Sequence, residues 1–269
     1  MTAANQHPAS TRTEPAGGGL AVTLTEQGAG RPVLVLHGGG GPDSVAGFAA
    51  SLALGARVIT PAHPGFGGTP RPAAVRTIED LAGLYSALID RLGFTGVVVA
   101  GFSMGGWIAA ELAAADAGRG RISGLVLADA VGIEVPGEKI ADVFPLTPAE
   151  LSALSYHDPG RFALDPATMT AEQRAQIAAN FAALAVYGGA RGMADPGLRA
   201  RLAQVTVPVL VVWGDSDGVV TPAYGRAFAD AFPAARFEVI ADCGHLPQIE
   251  QPAPLLALVR DAFPAVVPG

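Results

Sequence analysis

The stretch VVVAGFSMGGWIAAELAAA, Val97–Ala115, sets a lone serine between two glycines at the point where its character changes. Val97–Ala100 is a continuous apolar run, the pattern of a strand buried on both faces. From Met104 onward small and apolar residues predominate, which predicts a helix. Between the two, Gly101-Phe102-Ser103-Met104-Gly105 fits G-x-S-x-G. Glycines belong where a sharp strand-to-helix turn leaves no room for side chains, and such a turn lifts the serine hydroxyl out of the sheet edge. The new helix also presents free N–H groups and the positive end of its dipole to any negative oxygen that develops there.

Outward from this turn, short apolar runs alternate with helical patterns. LAVTLTE (20–26), PVLVLH (32–37), ARVITP (56–61), GLVLAD (124–129), VPVLVVWG (207–214) and RFEVI (236–240) predict strands. TIEDLAGLYSALIDRLG (77–93) has apolar residues at helical spacing and ends on Gly93. PAYGRAFADAF (222–232) and PAPLLALVRDAF (252–263) predict two more helices. The alternation predicts an α/β fold, a mostly parallel central sheet flanked by helices. Residues 133–204 break the rhythm with helical segments between proline turns and no buried-strand signal, as expected of a helical insertion. The expected organisation is a flexible leader over 1–19, a core over 20–132 and 205–269, and the insertion over 133–204. The leader is polar and has no apolar h-region, so it does not read as a secretory signal.

The chain has 269 residues, half of them hydrophobic, enough for one large domain with an insertion. Its net charge of −7, with Lys139 its only lysine, argues against nucleic-acid binding, which needs clustered cations. No apolar stretch reaches the roughly 18 residues of a membrane span. Cys243 is the only cysteine, so no intramolecular disulfide forms and a cytoplasmic location is expected. No G-x-x-x-x-G-K occurs, no G-x-G-x-x-G follows a strand, and no histidine pair has ligand spacing. Neither a cofactor nor a metal is expected. The expected partner is a small-molecule substrate, and the expected assembly a monomer or homodimer.

A serine hydroxyl is a poor nucleophile until a base takes its proton. Of five histidines, His245 lies in DCGHLPQIEQP, after the last predicted strand and on the carboxyl side of the sheet where Ser103 must also lie. His37 ends a strand, His63 sits in a Pro/Gly loop, His157 in the insertion and His7 in the leader. The base needs an acid to fix its tautomer, and Asp129, Asp215, Asp217 and Asp242 all stand in loops that qualify. Four glycines follow His37, where main-chain N–H groups can meet a developing oxyanion. Gly39 and Met104 form the expected donor pair, with Gly38 and Gly40 as alternatives.

Together HGGGG (37–41), PGFGG (64–68), GFSMGG (101–106), WGDSD (213–217) and GHLPQIEQP (244–252) resemble the α/β-hydrolase fold superfamily, of the serine-nucleophile, helical-cap type. The resemblance covers about residues 20–265 apart from the insertion, in the chain order Ser, Asp, His. It implies Ser103 as nucleophile, His245 as base and Asp217, three residues after Gly214, as acid. It also implies that 133–204 is a cap over the substrate pocket. Gly38, Gly40, Phe102 and Trp107 are the expected substrate contacts, and Phe144, Tyr156, His157, Phe162, Phe181 and Tyr187 are pocket or cap-core candidates. The expected activity is that of a serine esterase or lactonase (EC 3.1), acting through an acyl-enzyme on a small to medium apolar substrate. Carbon–carbon bond hydrolysis of a diketone, or lyase, cyclase or acyltransferase chemistry, are the alternatives on the same scaffold. A non-catalytic ligand receptor is a further reading, which a damaged triad would favour.

Overall fold

The apolar runs become the centre of an eight-stranded sheet in the computed structural model, which describes residues 8–165 and 167–266. Its strands are β1 (Ser10–Pro15), β2 (Ala21–Gln27), β3 (Arg31–Leu36), β4 (Ala56–Pro61), β5 (Val97–Phe102), β6 (Ile122–Ala128), β9 (Val209–Gly214) and β10 (Ala235–Ile240). Their spatial order is β1-β2-β4-β3-β5-β6-β9-β10. From β4 to β10 every neighbouring pair is parallel, while β2 runs antiparallel to β4 and to β1. Every residue of β5 and β9 is buried, as continuous Val-rich runs require in a sheet covered on both faces.

Helices α1 (Ala46–Leu52), α2 (Ile78–Arg91) and α3 (Met104–Asp116) follow β3, β4 and β5. The insertion holds α4 (Pro148–Ser155), α5 (Pro159–Phe162) and α6 (Ala171–Tyr187), and ends with α7 (Leu198–Leu202). Helices α8 (Pro222–Ala229), α9 (Pro247–Glu250) and α10 (Pro252–Ala262) complete the chain. One apolar layer unites the sheet with α2, α3, α7 and α8. The other lies under α1 and α10. Capping boxes start α2 (Thr77 with Asp80), α4 (Thr147 with Glu150) and α6 (Thr170 with Gln173). Each satisfies two orphan N–H groups where a loop must stop and a helix begin.

Two expectations are corrected. The flexible leader over 1–19 does not hold at Ser10–Pro15, which pairs residue for residue with Ala21–Glu26 as an edge strand. Its side chains alternate between exposed and half-buried, so main-chain pairing and not apolar burial makes the strand. Residues 1–7 of the leader lie outside the described residues. The insertion also contains strand: β7 (Gly132–Ile133) pairs in parallel with β8 (Ala194–Asp195) at its neck. Just after β8, α7 buries Leu198 and Leu202 completely and packs on α3, so this end of the insertion rests on the core.

Candidate active site

Ser103 occupies the turn from β5 into α3 with φ 53° and ψ −119°. A non-glycine residue held there costs about 1–3 kcal/mol and persists only where its surroundings enforce it. The enforcement is visible. Ser103 N–H donates to Ala128 O at 3.0 Å, and Ser103 O accepts from Gly106 and Val131 N–H at 2.9 and 3.3 Å. A Cβ on Gly105 would stand 2.1 Å from Leu36 O, so the helix could not start this close to β3 with any other residue.

Ser103 is half-buried. His245 Nε2 lies 2.9 Å from Ser103 Oγ, and His245 Nδ1 lies 2.8 Å from Asp217 Oδ2. Asp217 Oδ1 accepts from Val219 and Val220 N–H at 2.8 and 3.1 Å, which fixes the carboxylate. Ser103, Asp217 and His245 follow β5, β9 and β10, so the parallel sheet delivers three sequence-distant side chains to one edge. Of the other candidate acids, Asp215 is exposed and accepts from Ser216 Oγ and the Asp242 and Cys243 N–H groups. Asp242 is exposed too, and Asp129 is fully buried behind the site. His157, also exposed, hydrogen-bonds Ser216 Oγ through Nδ1 at 2.8 Å.

The glycine loop after β3 passes beside the serine. A Cβ on Gly38 would stand 2.9 Å from Ser103 Cβ, so only glycine allows this approach. Gly39 is half-buried under Leu184 of α6, and Gly40 is exposed. Met104 is the first residue of α3, where an N–H has no intrahelical acceptor. Neither it nor Gly39 N–H is hydrogen-bonded among the described residues. The loop is held from below by His37 and His63, whose rings lie 3.7 Å apart between centroids with a 33° tilt. His63 N–H donates to His37 Nε2 at 3.1 Å, and His63 Nδ1 meets Tyr85 Oη at 2.5 Å. Burial drives both imidazoles toward the neutral form, His37 down to about 4 and His63 well below its ordinary value.

The expected substrate contact of Phe102 is corrected. Its ring points to the opposite face of the sheet and packs edge-on against Phe48 of α1 at 5.1 Å. Trp107 is fully buried in the α3 layer against Gly132, away from any solvent-reachable rim. Four cap aromatics pair among themselves, Phe144 with Phe181 and Tyr156 with Phe162. The Tyr187 hydroxyl donates to Pro64 O at 2.9 Å.

Two residues of the site had no part in the sequence reading. Glu250 is buried, and its carboxylate accepts from Gly244 N–H at 2.6 Å, His157 N–H at 3.0 Å and Asp158 N–H at 3.1 Å. Beside it, His245 N–H donates to Ser155 O at 2.8 Å and Gly218 N–H to Leu154 O at 3.0 Å. The cap segment 154–158 is thus bonded to the loops that carry both His245 and Asp217. Asn180 of α6 accepts from Gly67 N–H at 3.1 Å and donates to Gly40 O at 3.2 Å, bridging the cap to two glycine loops. The available signals were an acid five residues after His245 and one amide in an apolar helix half, NFAALAVY.

Two groups of side chains have metal-ligand chemistry among the described residues. Asp129, Asp217 and His245 form one, already joined in part by hydrogen bonds. Glu79, Glu111 and Asp195 form the other, but Arg191 pairs with Glu79 and Arg201 bridges Glu111 and Asp195, so guanidinium groups already balance those carboxylates.

A strained serine at a strand–helix turn, a histidine and a buried aspartate in one hydrogen-bonded line, and a glycine loop beside them stand together at one edge of the sheet. The chain belongs to the alpha/beta hydrolase family, which it matches over residues 33–258. It is 33% identical over 252 residues to the pimeloyl-[acyl-carrier protein] methyl ester esterase of Aromatoleum aromaticum, covering 86% of this chain and 98% of that one. It is 29% identical over 280 residues to a 2-hydroxymuconate semialdehyde hydrolase of Pseudomonas putida, covering 97% and 96%. A thermophilic esterase from Thermogutta terrifontis superposes with a TM-score of 0.73 at 28% identity, over 97% of this chain and all of that one.

Proposed function

We propose that the protein is a serine hydrolase that cleaves a carboxylic ester, lactone or related acyl compound of small to medium size through an acyl-enzyme. The observation that carries this reading is the unbroken line Ser103 Oγ, His245 Nε2, His245 Nδ1, Asp217 Oδ2, with links of 2.9 and 2.8 Å. His245 takes the serine proton as Oγ attacks the carbonyl carbon. The Gly39 and Met104 N–H groups receive the oxyanion. Asp217 holds the ring in the tautomer that leaves Nε2 able to accept, and stabilises the imidazolium. His245 then returns the proton to the leaving group, and water repeats the sequence on the acyl-enzyme. The likeness to two esterases supports ester chemistry.

A second reading has one observation in its favour, the likeness to a 2-hydroxymuconate semialdehyde hydrolase. On that reading the same residues cleave a carbon–carbon bond beside a carbonyl. A panel of p-nitrophenyl esters, lactones and vinylogous diketones separates the two by kcat/KM. Ser103 should be labelled by a fluorophosphonate, and Asp217→Asn should lower kcat by about 10⁴-fold while Asp215→Asn keeps most of it. No turnover of any ester and no labelling would overturn the proposal.

A further inference from the structure

Behind Asp217 stands a second carboxyl that the hydrogen-bonded line does not use. Asp129 follows β6, is fully buried, and keeps φ at 47°. Aspartate tolerates that conformation better than most side chains, but it is uncommon for any of them. Asp129 N–H donates to Val212 O at 3.0 Å, and Oδ1 accepts from Gly214 N–H at 2.9 Å. Oδ2 is buried and has no partner among the described residues. One carboxyl oxygen of Asp129, one of Asp217 and a ring nitrogen of His245 all lie within 4.8 Å of each other.

Two ionised carboxylates this close in a dry site repel, and one of them keeps a proton. Asp217 already accepts three N–H groups, from Val219, Val220 and His245, whereas Asp129 accepts one. The orphan oxygen is on Asp129, where an O–H would find its acceptor on Asp217. We propose that Asp129 is a neutral carboxylic acid whose O–H donates to the Asp217 carboxylate, a fourth link behind Ser103, His245 and Asp217.

Burial pushes the Asp129 carboxyl well above the usual range, and the nearby Asp217 charge, then that of Glu250, push the same way. The titratable groups around it are Asp217 after β9, His245 and the buried Cys243 thiol after β10, and Glu250 on α9. One negative charge and not two therefore stands behind His245. One carboxylate is enough to orient the ring through Nδ1 and leave Nε2 facing Ser103. Asp129 is on this account a positioning residue, and its effect on turnover rests on the hydrolase reading above. Its proton is a property of the resting protein and is tested separately.

The test is an infrared difference spectrum between the wild-type protein and Asp129→Asn at neutral pH, without substrate. A carboxylic-acid C=O stretch should be present in the wild type, absent in the variant, and shifted in D2O. No such band would overturn the proposal. In kinetics, Asp129→Leu removes the donor and should lower kcat about ten- to a hundredfold. Asp129→Asn places an amide N–H where the O–H was and should recover most of that loss, its kcat/KM–pH profile superimposing on the wild type's. Asn falling as far as Leu, or Leu keeping full turnover, would overturn it. If Leu fails to fold, the spectrum and the Asn variant still decide. If the wild type turns over no ester, the hydrolase reading fails and the infrared band still locates the proton.

Discussion

Glu250→Gln perturbs the point where the cap meets the loops of the triad. The wild-type carboxylate accepts from Gly244, His157 and Asp158 N–H groups, the first on the loop of His245 and the others on the cap. Glutamine has one acceptor oxygen. Whichever way the amide turns, an NH₂ faces at least one of these N–H groups and leaves a buried donor unpaired, at about 1–3 kcal/mol. The remaining bonds lose their ionic partner, so the total comes to roughly 2–5 kcal/mol. For a chain of this size that lowers the melting temperature by about 5–15 °C. Gly244 precedes His245 directly, so the imidazole shifts with it, and a displacement near 1 Å costs about a hundredfold in rate. Calorimetry and steady-state kinetics on a small p-nitrophenyl ester, well below the melting range, read both effects. kcat should fall about ten- to a hundredfold with KM little changed. An unchanged melting temperature, or a lowered one with kcat intact, would refute the idea that this carboxylate couples cap to triad.

Two further outcomes are expected. Asn180→Ala removes the bridge between Gly40 O and Gly67 N–H, so kcat should fall by about tenfold, more than KM rises, because the glycine loop loses its fixed position; equal changes in both would point to substrate contact instead. The buried His37, held neutral down to about 4, should make the protein acid-sensitive. The unfolded chain binds this proton below about 6.5 and the native one does not, so stability is fully present above 6.5 and falls as pH drops toward 4. The cost is about 2 kcal/mol between about pH 8 and pH 5 for His37 alone, with His63 adding in the same direction. Urea midpoints that stay flat over that range would contradict this.

The parallel centre of the sheet was legible because its strands are buried on both faces and leave continuous apolar runs. β1 was not, because STRTEP is a polar edge that pairs by main chain and by polar side chains such as Thr11 with Thr25 and Arg12 with Glu26, with no apolar run to mark it. Ser103 and His245 could be placed from their position after strands. Four aspartates qualified by chain position and the resemblance singled out Asp217, three residues after Gly214; in the structure it is Asp217 that lies 2.8 Å from Nδ1. Phe102 was misplaced because adjacency to Ser103 in sequence says nothing about which face of the sheet a side chain takes. Glu250 reaches His157 and Asp158, 93 and 92 residues back, and Asn180 reaches Gly67 and Gly40, 113 and 140 residues back, and no local pattern encodes such partners.

The short β7–β8 seam has a bearing on how such a protein can change its diet. It pairs residue 132 with 194 and 133 with 195, so everything strung between them is a loop with a closed neck. A different lid could be spliced in at that neck without disturbing the sheet beneath. Such a transplant would still have to supply two carbonyls, at the places of Leu154 and Ser155, and two amides for Glu250. It would also have to keep an amide at the place of Asn180 and a hydroxyl at that of Tyr187, which hold the glycine loops below.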